Sequence, residues 1–127
     1  MPRVSYTQTV TGIGDNLSQA REVSDSASID VDESIPDSST DLQINIAIDV
    51  SEVSFLAIKS DQDITIETNS GSAAADTLTI SGGVPLIYSG TAGETFFLGT
   101  DVTAIFVTNA SGAAARLQIK GLQDATP

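Results

Sequence analysis

Cysteine, histidine and tryptophan are all absent from this chain of 127 residues. Without cysteine there is no disulfide and no thiolate to act as nucleophile or ligand, and the redox compartment stays open. Without histidine the chain lacks the side chain that most often moves protons near neutral pH, orients a nucleophile or ligates zinc, copper and iron. Most common active-site designs are therefore unavailable, and the chain is read as a non-enzyme. A carboxylate pair remains the one open route to glycoside hydrolysis or to magnesium or calcium binding.

Positive charge is scarce as well. Five bases, Arg3, Arg21, Lys59, Arg116 and Lys120, stand scattered against seventeen acids, for a net charge of −12. Neutralising phosphates needs a clustered basic footprint, so direct nucleic-acid binding is disfavoured, and so is an anionic membrane surface. Apolar runs are only a few residues long, too short for a membrane-crossing helix. The opening MPRVSYTQTV lacks the apolar core of a secretory signal. The length suits one domain with a single core.

What the chain does have is alternation. Apolar residues recur at every second position at Val4 and Tyr6, at Ala27, Ile29 and Val31, and at Leu42, Ile44, Ile46 and Ile48. The same holds for Ile64 and Ile66, Leu78 and Ile80, and Leu117 and Ile119. A period of two marks half-buried strands. The continuous runs FLAI (55–58), VPLIY (84–88), FFL (96–98) and AIFV (104–107) suit strands buried on both faces. Clusters of Gly, Ser, Asn and Asp between them supply turns, which gives roughly eight to ten short strands. The fold class is all-β, a β-sandwich or jelly-roll-like domain, with Phe55, Phe96, Phe97 and Phe106 as core anchors. The one helix candidate is DNLSQAREV (15–23), with Asp15 or Asn16 as its cap. From Asp15 to Asp41, eight acids and one arginine leave seven surplus negative charges, so this stretch is read as a solvated loop or extended arm. The expected division is 1–41 as an N-terminal strand and acidic arm or loop, and 42–127 as the sandwich core of one overall domain.

Candidate sites reduce to ordinary structure. In SDQDITIET (60–68) an EF-type loop would need glycine at the sixth place and a bidentate glutamate at the twelfth, whereas counting from Asp61 these places hold Ile66 and Ser72. Asp61 and Asp63 therefore flank a turn and the segment reads as a hairpin, with Ile64 and Ile66 inward and Thr65 and Glu67 outward. In DVDES, Asp30, Asp32 and Glu33 could attract a cation, but Asp30 and Asp32 fit better as the outer face of a strand whose inner face is Ile29 and Val31. GIG (12–14) and SGG (81–83) lack the strand, helix and lysine of a phosphate cradle and read as turns. The acceptor patterns at Asn16 and Asn109 read as chance matches without an export signal. A serine nucleophile has no histidine as its base, and although a serine–lysine pair with Lys59 or Lys120 can be imagined, no motif places either. No catalytic, cofactor-binding or metal-ligating residue is assigned.

VSFLAIKSDQDITIET (53–68) and VTAIFVTNASGAAARLQI (102–119) share one construction, an apolar strand, a polar turn and an alternating strand, read as two like hairpins. From about Thr40 onward the chain resembles a family of small all-β virion proteins of tailed bacteriophages, encoded among the head genes. The likeness rests on three elements: IxSDQDxTIxTN at Ile58 to Asn69, GxPLxW/Y at Gly83 to Tyr88, and VTxxxVTNxSGxxAxLxIxxLxD at Val102 to Asp124. The resemblance implies a capsid decoration or cement protein with no active site and no cofactor. It also implies many copies bound to the major capsid protein on the virion exterior, after assembly in the host cytoplasm, and a homo-oligomer, with a trimer favoured. Two other expectations stand beside it: a head–tail connector or tail accessory subunit, and a calcium-assisted carbohydrate-binding sandwich.

Overall fold

The computed structural model describes residues 2–12, 14, 17–90 and 95–124. Ten strands follow one another: β1 (Arg3–Val10), β2 (Leu17–Ser24), β3 (Ala27–Ile35), β4 (Ser39–Ile48), β5 (Val53–Ser60), β6 (Ile64–Thr68), β7 (Thr77–Ile80), β8 (Leu86–Ser89), β9 (Val102–Asn109) and β10 (Ala115–Gln123). No α-helix occurs among the described residues. The last eight strands form two antiparallel four-stranded sheets, ordered β3-β10-β5-β8 and β4-β9-β6-β7. Within this set every connection except β6 to β7 crosses from one sheet to the other. That is the strand order of a jelly roll, so the all-β sandwich read from the sequence is the fold of the chain.

The period of two explains why these residues make two packed sheets. Ile29, Ile35, Ile46, Ile48, Leu56, Ile58, Ile64, Ile66, Ile80, Val107, Leu117 and Ile119 all point between the sheets and are buried. Branched aliphatic side chains fill the ~10 Å gap between stacked sheets and favour the extended backbone that carries them. Gly121 sits in mid-β10 because a Cβ there would lie 3.0 Å from the Phe55 carbonyl oxygen and 2.9 Å from Leu56 Cδ1.

Several expectations change. Of the expected aromatic anchors, Phe96 and Phe97 are half-buried against the inter-sheet core, whereas Phe55 is buried on the outer face of β5 and Phe106 is half-buried on the outer face of β9 between Gln43 and Glu67. FFL forms no strand, although Leu98 is buried. The helix expected over 15–23 is instead β2 from Leu17, with Asp15 and Asn16 outside the described residues. Alternation placed Val23 inward and Glu22 and Ser24 outward, and packing of that single face outweighs a weak helical stripe.

The acidic stretch is not one arm. Its second half is β3, paired at nine positions with β10 and inserting Ile29 and Ile35 into the core. Of the described strands, β1 and β2 alone lie outside the two four-stranded sheets, and β3 within the acidic stretch belongs to the first of them. The two supposed hairpins are also something else: β5 and β6 lie in different sheets, as do β9 and β10. Each polar turn is a corner between sheets, and the two corner units interlock, with β5 paired to β10 and β6 paired to β9.

Candidate functional site

The polar residues that drew attention in the sequence hold these corners. Asn109, fully buried, donates from Nδ2 to the carbonyls of Ile35, Pro36 and Ala113 at 3.1, 3.3 and 2.9 Å. Its Oδ1 accepts from the Ser111 amide and hydroxyl at 3.1 and 2.7 Å. The β3–β4 and β9–β10 corners are thereby tied together, and the Gly112 amide adds a bond to Asp37 at 3.1 Å. Asn69, at a φ of 67°, accepts from the Thr103 amide at 2.8 Å and donates to the Asp101 carbonyl at 2.8 Å. Asparagine tolerates the left-handed region better than most residues, and here its side chain extends the hydrogen bonding of the turn.

The acids of SDQDITIET do the same. Asp61 accepts from the Arg116 amide at 2.8 Å, and Asp63 accepts from the Gly82 amide at 2.7 Å. Glycine at 82 suits this close approach, since a Cβ would lie 3.0 Å from the Asp61 carbonyl oxygen and push the corner apart by a few tenths of an ångström. Ile64 and Ile66 are buried, while Thr65 and Glu67 are half-buried on the opposite face.

Asp30 and Asp32 occupy the outer face of β3 and meet the bases of β10. Asp32 takes a two-pronged bond from Arg116 at 3.0 and 2.7 Å, and Asp30 pairs with Lys120. The Arg116 hydrogen bond holds the Asp32 carboxyl below its ordinary range, and Asp32 in turn raises Arg116. Glu33 is exposed. No group of three or more His, Cys, Asp or Glu side chains placed to hold a metal ion occurs among the described residues.

Two depressions mark the sandwich. One, of about 450 Å³, lies beside the row Thr79, Thr65 and Thr108 on the outer face of the second sheet and is bounded by Asp63 and Ser111. Both of those polar groups are engaged in corner bonds. The other, of about 240 Å³, has Asp49, Asp101 and Asp124 on its rim. Asp49 accepts from the Ser51 amide and Asp101 from the Val50 amide, which places both in turn-holding roles. Tyr88 stacks on Phe96 at 4.3 Å, and Phe97 packs edge-on to Phe96 at 5.0 Å, so one face of the Tyr88 ring is already covered.

The feature that remains is the ribbon of β1 and β2. It forms its own two-stranded sheet, paired from Arg3 with Ser24 through to Val10 with Leu17. At its base Val4, Tyr6 and Val23 cover Phe55 and Leu122 on the outer face of the first sheet, with the Tyr6 and Phe55 rings 5.2 Å apart. The Asp25 amide bonds the Pro2 carbonyl at 3.1 Å and Ser54 donates to Asp25 at 2.8 Å, anchoring the base to β5. Beyond Tyr6 the character changes: Thr7, Gln8, Thr9, Ser18, Gln19 and Ala20 are exposed on both faces, and Leu17 is 68% exposed. Three paired positions, Thr7 with Ala20 through Thr9 with Ser18, roughly 10 Å of ribbon, are thus exposed on both strands.

Sequence reasoning expects the segment from Met1 to Asp41 as a whole to contact a neighbouring subunit or the capsid, and it does not single out this tip. Its available signal was the alternation of Val4 and Tyr6 opposite Arg21 and Val23 around the turn formers Gly12 and Gly14, which have φ values of 97° and 60°. Comparison with protein-family models, with curated proteins and with solved structures gives no match.

Proposed function

We propose that this chain is a non-enzymatic structural protein of a tailed-bacteriophage virion, a decoration or cement protein that binds the exterior of the major capsid lattice. The observation that carries the reading is the projecting ribbon. The jelly roll carries a two-stranded arm in which Thr7, Gln8, Thr9, Ser18, Gln19 and Ala20 are all exposed, and such a ribbon gains most from contacts on a second surface. The resemblance supports the reading in a specific way. Asp61, Asp63, Asn69, Asn109 and Ser111, the polar residues of its motifs, are those that tie the sandwich corners, so what the motifs describe is this architecture.

An acidic, compact domain without a basic footprint suits the outside of a shell that faces away from packaged nucleic acid. The test is the composition of purified particles. A shell protein is present in hundreds of copies, whereas a head–tail connector contributes about a dozen, in keeping with the symmetry of closed rings. Particles made without the chain are expected to rupture at lower temperature. Its absence from purified virions removes the proposal.

A further inference from the structure

We infer that two copies of this chain join through the free edge of β1, with Thr7–Thr9 paired antiparallel to the same segment of the second copy about a two-fold axis at Gln8. The pairing is a property of the chain in solution and does not rest on the virion reading.

The free edges of the molecule are not equivalent. β3 offers nine positions but carries Asp30, Asp32 and Glu33, a charged edge of the kind that blocks strand addition. β4 is long, but its register with β9 breaks between Ser39 and Leu42 and again between Asn45 and Ile48. Such breaks bend a strand away from a flat partner. β7 and β8 have four residues each. β1 has eight, pairs only with β2 among the described residues, and stands clear of the sandwich from Thr7 onward.

Charge selects the partner. Two copies at −12 each repel over most of their surfaces. From Val4 to Val10, β1 carries no charge, and Arg3 is five positions from Gln8. On the free edge of β2, extending a like pairing about Gln19 by one residue each way brings Arg21 opposite Leu17, whereas the same extension about Gln8 on β1 stays uncharged. On β1 the antiparallel overlap sets Thr7 opposite Thr9 of the second copy and Gln8 opposite Gln8. Threonine pairs directly across an antiparallel ladder are favourable, threonine suits strands, and a two-fold contact needs just such a self-complementary segment.

The experiment uses the full-length purified chain. Sedimentation is expected to give the mass of two chains. Thr7→Glu with Thr9→Glu places like charges opposite each other twice and weakens association by roughly tenfold or more. Thr7→Lys with Thr9→Lys weakens it too, although it lowers the net negative charge and so reduces general repulsion. Thr7→Glu with Thr9→Lys sets opposite charges across the axis and retains the dimer. Thr7 and Thr9 are both exposed, and an unchanged circular dichroism spectrum checks the fold. Because the chain has no cysteine, Gln8→Cys gives a disulfide-linked dimer on mild oxidation, and Gln19→Cys does not. A monomeric wild type, a dimer indifferent to the double lysine change, loss of the dimer in the mixed variant, or equal crosslinking at both positions overturns the inference.

Discussion

Asn109 donates from its side-chain amide to the main-chain carbonyl of Ile35 at 3.1 Å, across 74 positions of sequence, and both residues are fully buried. Its loss removes the side-chain donor that joins the carbonyls of Ile35, Pro36 and Ala113, although Ser39 still bonds the Pro36 carbonyl and the Ser111 hydroxyl that of Ala113. Asn109→Ala is expected to destabilise the chain by about 1–3 kcal/mol, the cost of breaking a buried hydrogen-bond network centred on the Ile35 carbonyl. Urea unfolding followed by circular dichroism measures it. A loss within about 0.5 kcal/mol, the range of an ordinary surface change, contradicts the clamp.

The Asp32–Arg116 pair sets a pH dependence. Because the folded protein lowers the Asp32 pKa, chiefly through the Arg116 hydrogen bond, the associated stability is present above the unfolded carboxyl pKa. It is lost as pH falls through the lowered folded value. Both side chains are substantially exposed, at 44% and 61%, so solvent screening keeps the effect small. Asp32→Asn is expected to flatten the stability profile only in acid, below about pH 4. A flattening that appears instead near neutral pH contradicts the assignment.

Tyr6 brings its hydroxyl under the ribbon with no hydrogen-bond partner among the described residues, while its ring packs on Phe55. A buried hydroxyl without a partner costs free energy that the ring alone does not. Tyr6→Phe is therefore expected to raise stability by about 1 kcal/mol, read as an upward shift of the urea midpoint. Tyr6→Ala, which uncovers Phe55, is expected to lower it. A fall in stability with phenylalanine implies that the hydroxyl is satisfied after all.

Which of these features could be read before the fold was known follows from their range. Alternation at Ile44, Ile46 and Ile48, or at Ile64 and Ile66, is a local signal of a strand with one buried face, and these strands lie where the pattern puts them. Pairing is not local. Nothing in SDQDITIET distinguishes a hairpin, whose strands pair with each other, from a corner, whose strands pair with β10 and β9. The fate of Asp30 and Asp32 was decided likewise by Arg116 and Lys120, more than eighty residues away, which turn an acidic run into a paired outer face. The ribbon was obscured because its distal half buries nothing, so Thr7 to Thr9 and Leu17 to Ala20 carry no apolar rhythm to find.

Three deletions separate the ribbon from the sandwich. Replacing residues 8–19 by Asn-Gly joins Thr7 directly to its cross-strand partner Ala20 through a two-residue hairpin turn. Gln8, Thr9, Thr11, Leu17, Ser18 and Gln19, which this removes, are all exposed, so stability is expected to stay within about 0.5 kcal/mol of the intact chain. Removing everything through Ser24 also uncovers Phe55 and Leu122, which are 3% and 1% exposed. That is expected to cost about 3–5 kcal/mol by the burial of two large apolar side chains, an upper figure because the unfolded chain already buries part of them. Removing everything through Asp41 takes away β3 with Ile29 and Ile35, and no cooperative unfolding transition is expected. Thermal melts followed by circular dichroism rank the three. If the first deletion melts as the intact chain does yet no longer binds capsids or self-associates, the distal ribbon is the contact element. A first deletion that is destabilised as much as the second shows that the tip supports the fold, and the contact must then be sought on the sandwich itself.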